Sequence, residues 1–427
     1  MEILADMAAH HRPAAMALRD WGRSHRFAGS RDRAAIGNLV YDALRHKASI
    51  AWRMGDESPR ALVLGTLRFV WKAGPAEISA LCDGSGFAPQ GLSAPEKERL
   101  ENDNPEEPPG HVRADIPEWV HGALQRVFGE NTVSEGIALA TRAPLDIRVN
   151  TLKADRERVK KALARMGAQD TPLSPLGLRI PPPAADLEKP DARLPHIESE
   201  AAHGKGWFEV QDEASQLAAL LTGAEPGMQI ADICAGAGGK TLALAARMQN
   251  RGQIHAWDRD RHRLRPIWER LKRAGARNVQ VLPGGDADVL RPLTGKMDIV
   301  LADAPCTGTG SWRRKPDAKW RLSRDMLQTR LEEQRAVLQS ARSLVKPGGR
   351  LVYVTCSLLP GENQDQITRF LDENPEFSPL DLESLWKKQL PDTPPPFADA
   401  KTKAALLLSP ARHNTDGFFI AALRRAT

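Results

Sequence analysis

The second half of this sequence predicts an α/β fold built on a mostly parallel sheet. Three observations predict it. From Gly206 onward, short apolar runs (QIADIC, QIHAWD, VQVL, MDIVLAD, RLVYVTC) alternate with segments of helical spacing such as SQLAALL, LALAARM, RLRPIWERLKRAG and MLQTRLEEQRAVLQSARSLV. Strands that alternate with helices need crossover connections, which lay helices on both faces of a parallel sheet. A glycine-rich run closes the first strand, and acidic residues stand at the ends of the next two. At 427 residues the chain is too long for one ordinary core, so this domain has companions.

The companions precede it. Residues 1–93 read as helical: Ile36, Leu39, Val40 and Leu44 recur at helical spacing, and a second apolar stretch, ALVLGTLRFVW, starts at Ala61. Residues 94–115 are acidic and proline-bearing and are expected to form a linker. Residues 116–205 read as a small α+β module, with PLDIRVNTLK as a strand, a charged amphipathic helix after it, and a proline-broken loop from Arg179 to Pro195. Residues 206–427 form the α/β domain, closed by two strands within ALLLSPARHNTDGFFIAALRR.

Composition narrows the function classes. The net charge of +6, from 60 Lys and Arg against 54 Asp and Glu, favours a polyanionic partner, because basic side chains gain by displacing counterions from phosphates. Four cysteines (Cys82, Cys234, Cys306 and Cys356) are too few for a disulfide scaffold and are not spaced as CxxC pairs, so no metal is expected. No run of about 18 apolar residues offers a membrane span, and the first residues lack the apolar core of a signal peptide. A cytoplasmic monomer without membrane contact is expected, with thiols free for chemistry.

The first strand runs into Asp232-Ile233-Cys234-Ala235-Gly236-Ala237-Gly238-Gly239-Lys240-Thr241. Glycines after a strand let the backbone approach a ligand, and the helix beyond offers unpaired N–H groups. A phosphate-binding P-loop needs glycine where Cys234 stands, and the dinucleotide fingerprint needs glycine at Thr241. S-adenosylmethionine fits better, since it requires close approach without a pyrophosphate cradle. Asp258, 20 residues after Gly238, is placed to accept from the ribose hydroxyls, and Asp286 to meet the adenine amine. The candidate cofactor residues are Cys234 to Lys240, Asp258, Asp286 and Asp303.

The fourth strand runs into Asp303-Ala304-Pro305-Cys306 and the fifth into Thr355-Cys356-Ser357. Each cysteine lies beyond the carboxyl end of its strand, the edge at which open α/β sheets hold ligands. Two thiols there, with an acid three residues from one, suit covalent catalysis by a thiolate. Asp303 and Lys240 complete the candidate catalytic set with Cys306 and Cys356.

These elements resemble the RsmB/Sun family of RNA 5-methylcytosine methyltransferases. The resemblance rests on RVNTLK from Arg148, FEVQDEASQL from Phe208, DICAGAGGKT, DAPCTGTG, RRKPDAKWR from Arg313, LVYVTCSLLPGEN from Leu351 and DGFFIA from Asp416. It implies a Rossmann-like class I methyltransferase domain with a mostly parallel seven-stranded sheet, preceded by an RNA-recognition-like module. It implies Cys356 as the nucleophile toward carbon 6 of a cytosine and Cys306 as the thiol that assists release. Asp303 would bond the cytosine ring nitrogen and amine. A shorter match, SRDRAAIGNLVYDALR, resembles the helical NusB-like extension of bacterial members and points to ribosomal RNA; transfer RNA, a DNA-type mechanism with Cys306 as nucleophile, and a ribosome-assembly role are the alternatives. The sequence departs from the family in having Ala237 where proline is usual. Arg313, Arg314, Lys315, Lys319 and Arg321 follow the DAPC element with Trp312 and Trp320 among them, and are expected to grip RNA phosphates while an indole stacks on an unpaired base.

Overall fold

The computed structural model describes all residues except 87, 103, 105 and 397–403. The chain falls into two compact units. One comprises Met1–Ala143, Pro182–Leu194 and Trp312–Leu322; the other comprises Pro144–Pro181, Pro195–Ser311 and Ser323–Thr427.

The first unit is helical. The periodic Ile36–Leu44 pattern forms the helix Ser30–Arg45, which turns Val40 and Leu44 into a core with Ile3, Ile50, Leu64 and Ile78. The stretch from Ala61 is the helix Pro59–Gly65, capped by Ser58 and continued as a π-turn over Thr66–Val70. The expected linker needs correction. Its start is a helix, Ala94–Glu101, opened by a capping box between Ser93 and Glu96, and its Leu100 is buried in the helical core; Gly110–Arg113 is a further helical turn, while residues 103 and 105 lie outside the described residues. A reciprocal cap satisfies two orphan N–H groups at once, which lets a short acidic segment hold a helix.

The second unit contains two sheets. In the smaller, strands β1 (Leu145–Val149), β2 (Gln169–Asp170), β3 (Gly177–Ile180) and β4 (Phe208–Val210) lie in the order β2-β3-β1-β4, all antiparallel. The larger contains β5 (Gln229–Asp232), β6 (Gln253–Ala256), β7 (Val279–Val281), β8 (Met297–Asp303), β9 (Val345–Thr355), β10 (Phe377–Pro379), β11 (Ala405–Leu408) and β12 (Phe418–Arg425). Its order is β10-β12-β9-β8-β5-β6-β7, with β11 paired to β12. Strands β5 to β9 are parallel, as their apolar runs predict, and β10 to β12 are antiparallel. The eighth strand comes from the edge pairing of β11.

The two sheets of this unit are tied by polar side chains. Asn150 donates to the carbonyls of Gly206 and Ala274, and fully buried Arg148 donates to Gln211 at 2.5 Å and to Gly239 O at 3.4 Å. The RVNTLK element therefore anchors the small sheet to the start of the glycine-loop helix. Among the described residues, no helix is long and apolar enough to cross a membrane.

Candidate active site

Strand order places the site. The chain leaves β5 toward β6 on one side and returns to β8 on the other, so a crevice opens above the carboxyl ends of β5 and β8, the switch point at which such sheets bind ligands. The glycine loop rises from β5, Asp303 and Cys306 follow β8, and Cys356 follows β9.

The loop geometry explains its residues. Gly238 has φ 84°, and a Cβ there would meet Ile267 at 2.5 Å, so only glycine closes the turn into the helix Gly239–Arg247. Buried Asp258 accepts from Gly236 N–H and from Asp260 N–H, both at 2.8 Å. Its carboxylate is thereby fixed against the loop, where it can still accept from a ribose. Arg270 donates to Ala237 O at 2.8 Å while pairing with Glu209. That brace belongs to a basic helix that composition would leave as a solvated face. Asp286 is exposed and caps the 3-10 helix Ala287–Leu293 by accepting from Asp288 N–H at 2.9 Å. The open cradle and the held acid fit an adenosine-bearing cofactor.

Beneath the loop lies a polar cluster. Lys240 Nζ bonds Asp303 Oδ2 at 2.6 Å, with the lysine nearly buried, and sits 5.2 Å from the Phe418 ring centre. Fully buried Asp232 accepts from Thr241 at 2.7 Å and leaves Oδ1 without a hydrogen bond among the described residues; burial pushes its carboxyl up to about 7. Burial, then the carboxylates of Asp303, Asp232 and Asp258, push the Cys234 thiol well up, so this third cysteine stays protonated.

Cys306 and Cys356 face each other with 3.3 Å between their sulfurs, and both are partly exposed. The hydrogen bond to Cys356, then burial, push the Cys306 thiol well up, as does the charge of Glu362. Two devices hold the loops that carry them. Gly310 packs against Gly417 so closely that a Cβ would meet Gly417 O at 2.1 Å, and its N–H donates to Cys356 O at 2.9 Å. Glu362, fully buried, accepts from Thr307 N–H at 2.8 Å, Thr307 Oγ1 at 2.5 Å, Gln334 Nε2 at 2.9 Å and Ser357 Oγ. One carboxylate thus joins the residue after Cys306 to the residue after Cys356. Asn363 completes the clamp by accepting from Thr355 and donating to Ser357 O. Glu362 and Asn363 stand in the PGEN run, where composition alone gives no sign of this role.

The basic segment is a correction. Trp312–Leu322 belongs to the helical unit, where Trp312, Arg313 and Lys319 are at most 1% exposed. Lys319 donates to Arg45 O at 3.0 Å, Trp320 to Leu44 O at 2.6 Å, and Arg321 to Asp317 at 2.9 Å. A backbone carbonyl of the helix Ser30–Arg45 takes Lys319, Asp317 takes Arg321, and the indoles pack inward. Lys315 is exposed and Arg314 half-buried. Among the described residues, no group of three or more His, Cys, Asp or Glu could hold a metal ion.

A parallel sheet with this switch point, glycine loop and acid defines a methyltransferase of the class I fold. Comparison with known proteins narrows the class. The model described as 16S rRNA methyltransferase RsmB/F matches residues 219–424, and that of the RsmF/B-like ferredoxin-like domain matches residues 116–185. Over 315 residues, 73% of this chain and 67% of the relative, it is 33% identical to the probable ribosomal RNA small subunit methyltransferase B of Synechocystis. It is 31% identical to the ribosomal RNA small subunit methyltransferase F of Cronobacter sakazakii, over 73% of this chain and 63% of the relative. The crystal structure of a methyltransferase homolog from Pyrococcus horikoshii aligns with a TM-score of 0.60 at 28% identity, covering 74% of this chain and 97% of that one. The chain belongs to the RsmB/F family, which makes it an S-adenosylmethionine-dependent RNA methyltransferase.

Proposed function

We propose that this protein methylates carbon 5 of a cytosine in ribosomal RNA through a covalent adduct on Cys356. The observation that carries the reading is the pair of thiols 3.3 Å apart at the ends of adjacent parallel strands, beside Asp303. Carbon 5 of cytosine is a weak nucleophile. Cys356 thiolate adds to carbon 6, breaks the ring's aromaticity and makes carbon 5 enamine-like. Carbon 5 then takes the methyl group, which S-adenosylmethionine supplies as an electrophile on its sulfonium. Loss of the carbon-5 proton lets the C6–S bond break, restores the ring and expels Cys356.

The surroundings support the other roles. Asp303 is oriented by Lys240, so its other oxygen can hold the base in place by accepting from the exocyclic amine. The raised pKa of Cys306 keeps it a proton donor beside the Cys356 sulfur, suited to the release step. The base must leave its stack to reach these groups, so the target is single-stranded or flipped. Relatives named as methyltransferases B and as methyltransferase F both match, so the target nucleotide is not fixed by the likeness.

The test is a pair of variants with RNA carrying the target cytosine, located by bisulfite mapping of ribosomal RNA from cells with and without the protein. Cys356→Ala abolishes methylation and forms no adduct. Cys306→Ala accumulates a protein–RNA adduct that survives a denaturing gel. The reverse pattern would make Cys306 the nucleophile, and methylation intact in both would exclude thiol catalysis.

A further inference from the structure

The helical unit contains a cavity of about 320 Å³ lined by five arginines: Arg45, Arg142, Arg193, Arg313 and Arg314. Asn38 and Tyr41 add polar groups, and among the described residues no carboxylate lines it. The acid behind the wall is Asp42, buried, which takes both Arg45 at 3.1 Å and Arg142 at 2.6 Å. One carboxylate therefore serves two guanidinium groups. Arg45 is 9% exposed, and its Nε has no hydrogen-bond partner among the described residues. Among the described residues, exposed Arg193 reaches only the Ser30 hydroxyl, at 3.4 Å. Four chain segments far apart in sequence converge here: the helix Ser30–Arg45, the turn at Arg142, the proline-rich loop Pro182–Leu194, and the insert that starts at Trp312.

Arg45, Arg142 and Arg193 meet here with Asp42 as their only carboxylate partner among the described residues, and that surplus of positive charge costs Coulomb energy unless an anion enters. Guanidinium forks match phosphate oxygens in pairs, and planar forks recognise phosphate better than a point charge does. We propose that this cavity is a phosphate site and that a phosphodiester of the RNA substrate occupies it. The proposal rests on the reading that the substrate is RNA, and it moves the RNA contact from an exposed basic strip to a recess that Arg45, Arg142 and Arg193 build together. A cavity of this size takes a phosphate with its flanking sugar.

The experiment uses the full chain and the exposed arginine, whose loss leaves the buried wall intact. RNA binding is titrated across salt concentrations for wild type, Arg193→Glu and Arg193→Lys, with methylation kinetics beside it. Arg193→Glu should weaken RNA binding by about tenfold or more and reduce the slope of log affinity against log salt by about 0.7–0.9, the value for one phosphate contact. It should raise KM for RNA while kcat at saturating RNA stays at the wild-type value. Arg193→Lys should recover part of the affinity. Unchanged affinity and slope in Arg193→Glu, with wild type binding RNA normally, would overturn the cavity assignment and leave the RNA reading standing. No RNA binding by wild type would overturn both. A second arm titrates inorganic phosphate and follows thermal unfolding. Stabilisation of wild type by phosphate that is lost in Arg193→Glu, with RNA affinity equal in the two proteins, would make the occupant a free anion and refute the RNA assignment.

Discussion

Replacing Glu362 by glutamine should slow methyl transfer without loosening the cofactor. Glu362 is fully buried, and four donors converge on it: Thr307 N–H, Thr307 Oγ1, Gln334 Nε2 and Ser357 Oγ. A hydrogen bond to a charged acceptor contributes about 1.5–3 kcal/mol and a neutral one about 0.5–1.5. Loss of the charge over four bonds would cost about 4–6 kcal/mol if nothing adjusted. The hydroxyls of Thr307 and Ser357 can turn to accept from the new amide, and the desolvation cost of a buried charge disappears, so a net loss of about 1–3 kcal/mol is expected. The loops then relax around two cysteines whose sulfurs must stay in register, and a displacement of about 1 Å can cost on the order of 100-fold in rate. We expect single-turnover methyl transfer to fall roughly 10–100-fold, with adenosylmethionine affinity by calorimetry unchanged, because the glycine loop makes none of these bonds. Removing the Glu362 charge also lets Cys306 ionise more readily, so the alkaline limb of the pH–rate profile should move down. Glu362→Ala leaves the four donors unpaired and should destabilise the fold by roughly 4 kcal/mol or more. A wild-type rate and pH profile in Glu362→Gln would refute the clamp; equal losses of rate and cofactor binding would show a collapse of the whole site instead.

Asp258→Ala should weaken adenosylmethionine binding by about 1–3 kcal/mol, since it removes the proposed ribose acceptor and strips Gly236 N–H of its partner; unchanged calorimetric affinity in the folded variant would sink the assignment. For Asp232, the folded state holds the proton to about pH 7 whereas the unfolded chain releases it near 3.8, so folding takes up a proton between these values and stability falls as pH rises. The difference, about 3 pKa units, corresponds to about 4 kcal/mol, and Asp232→Asn should abolish this part of the decline in denaturant titrations between pH 4 and 8; a parallel decline in both proteins would contradict it. Burial brings Lys319 down to about 8, so Lys319→Met trades a buried charge for the lost bond to Arg45 O; stability should change by less than about 2 kcal/mol and RNA affinity and its salt slope should not move. A flattened salt slope in that variant would return Lys319 to the RNA surface.

The parts legible in the sequence are those encoded locally. Strands β5 to β9 each carry their own apolar run, the glycine loop carries its own turn chemistry, and parallel pairing brings the ends of β8 and β9 side by side, so Cys306 and Cys356 converge as soon as the sheet is recognised. The segment from Arg313 to Arg321 shows the opposite case. Its charges and tryptophans read as a nucleic-acid strip because nothing within it announces burial. Its acceptors, the carbonyls of Leu44 and Arg45, lie more than 270 residues earlier in the chain. The segment from 94 differs from a linker for a smaller reason: Ser93 and Glu96 cap the helix, Arg60 holds Glu96, and Leu100 is buried in the helical core, contacts that acid and proline content do not register. Glu362 was invisible because its four donors come from Thr307, Gln334 and Ser357, brought together only when two loops and the helix Arg324–Leu344 close on it.

The same distinction separates the proposed chemistry from what supports it. The groups proposed to react stand at strand ends. The features that fix thiol placement and that gather five arginines in one cavity depend on long-range convergence of segments that carry no local signature. Substitutions that leave every motif intact are therefore expected to alter how tightly RNA is held, through the proposed Arg193 cavity, and how fast it is methylated, through Glu362. A family resemblance built on local motifs speaks to the chemistry and leaves the hold on RNA to contacts that the motifs do not encode.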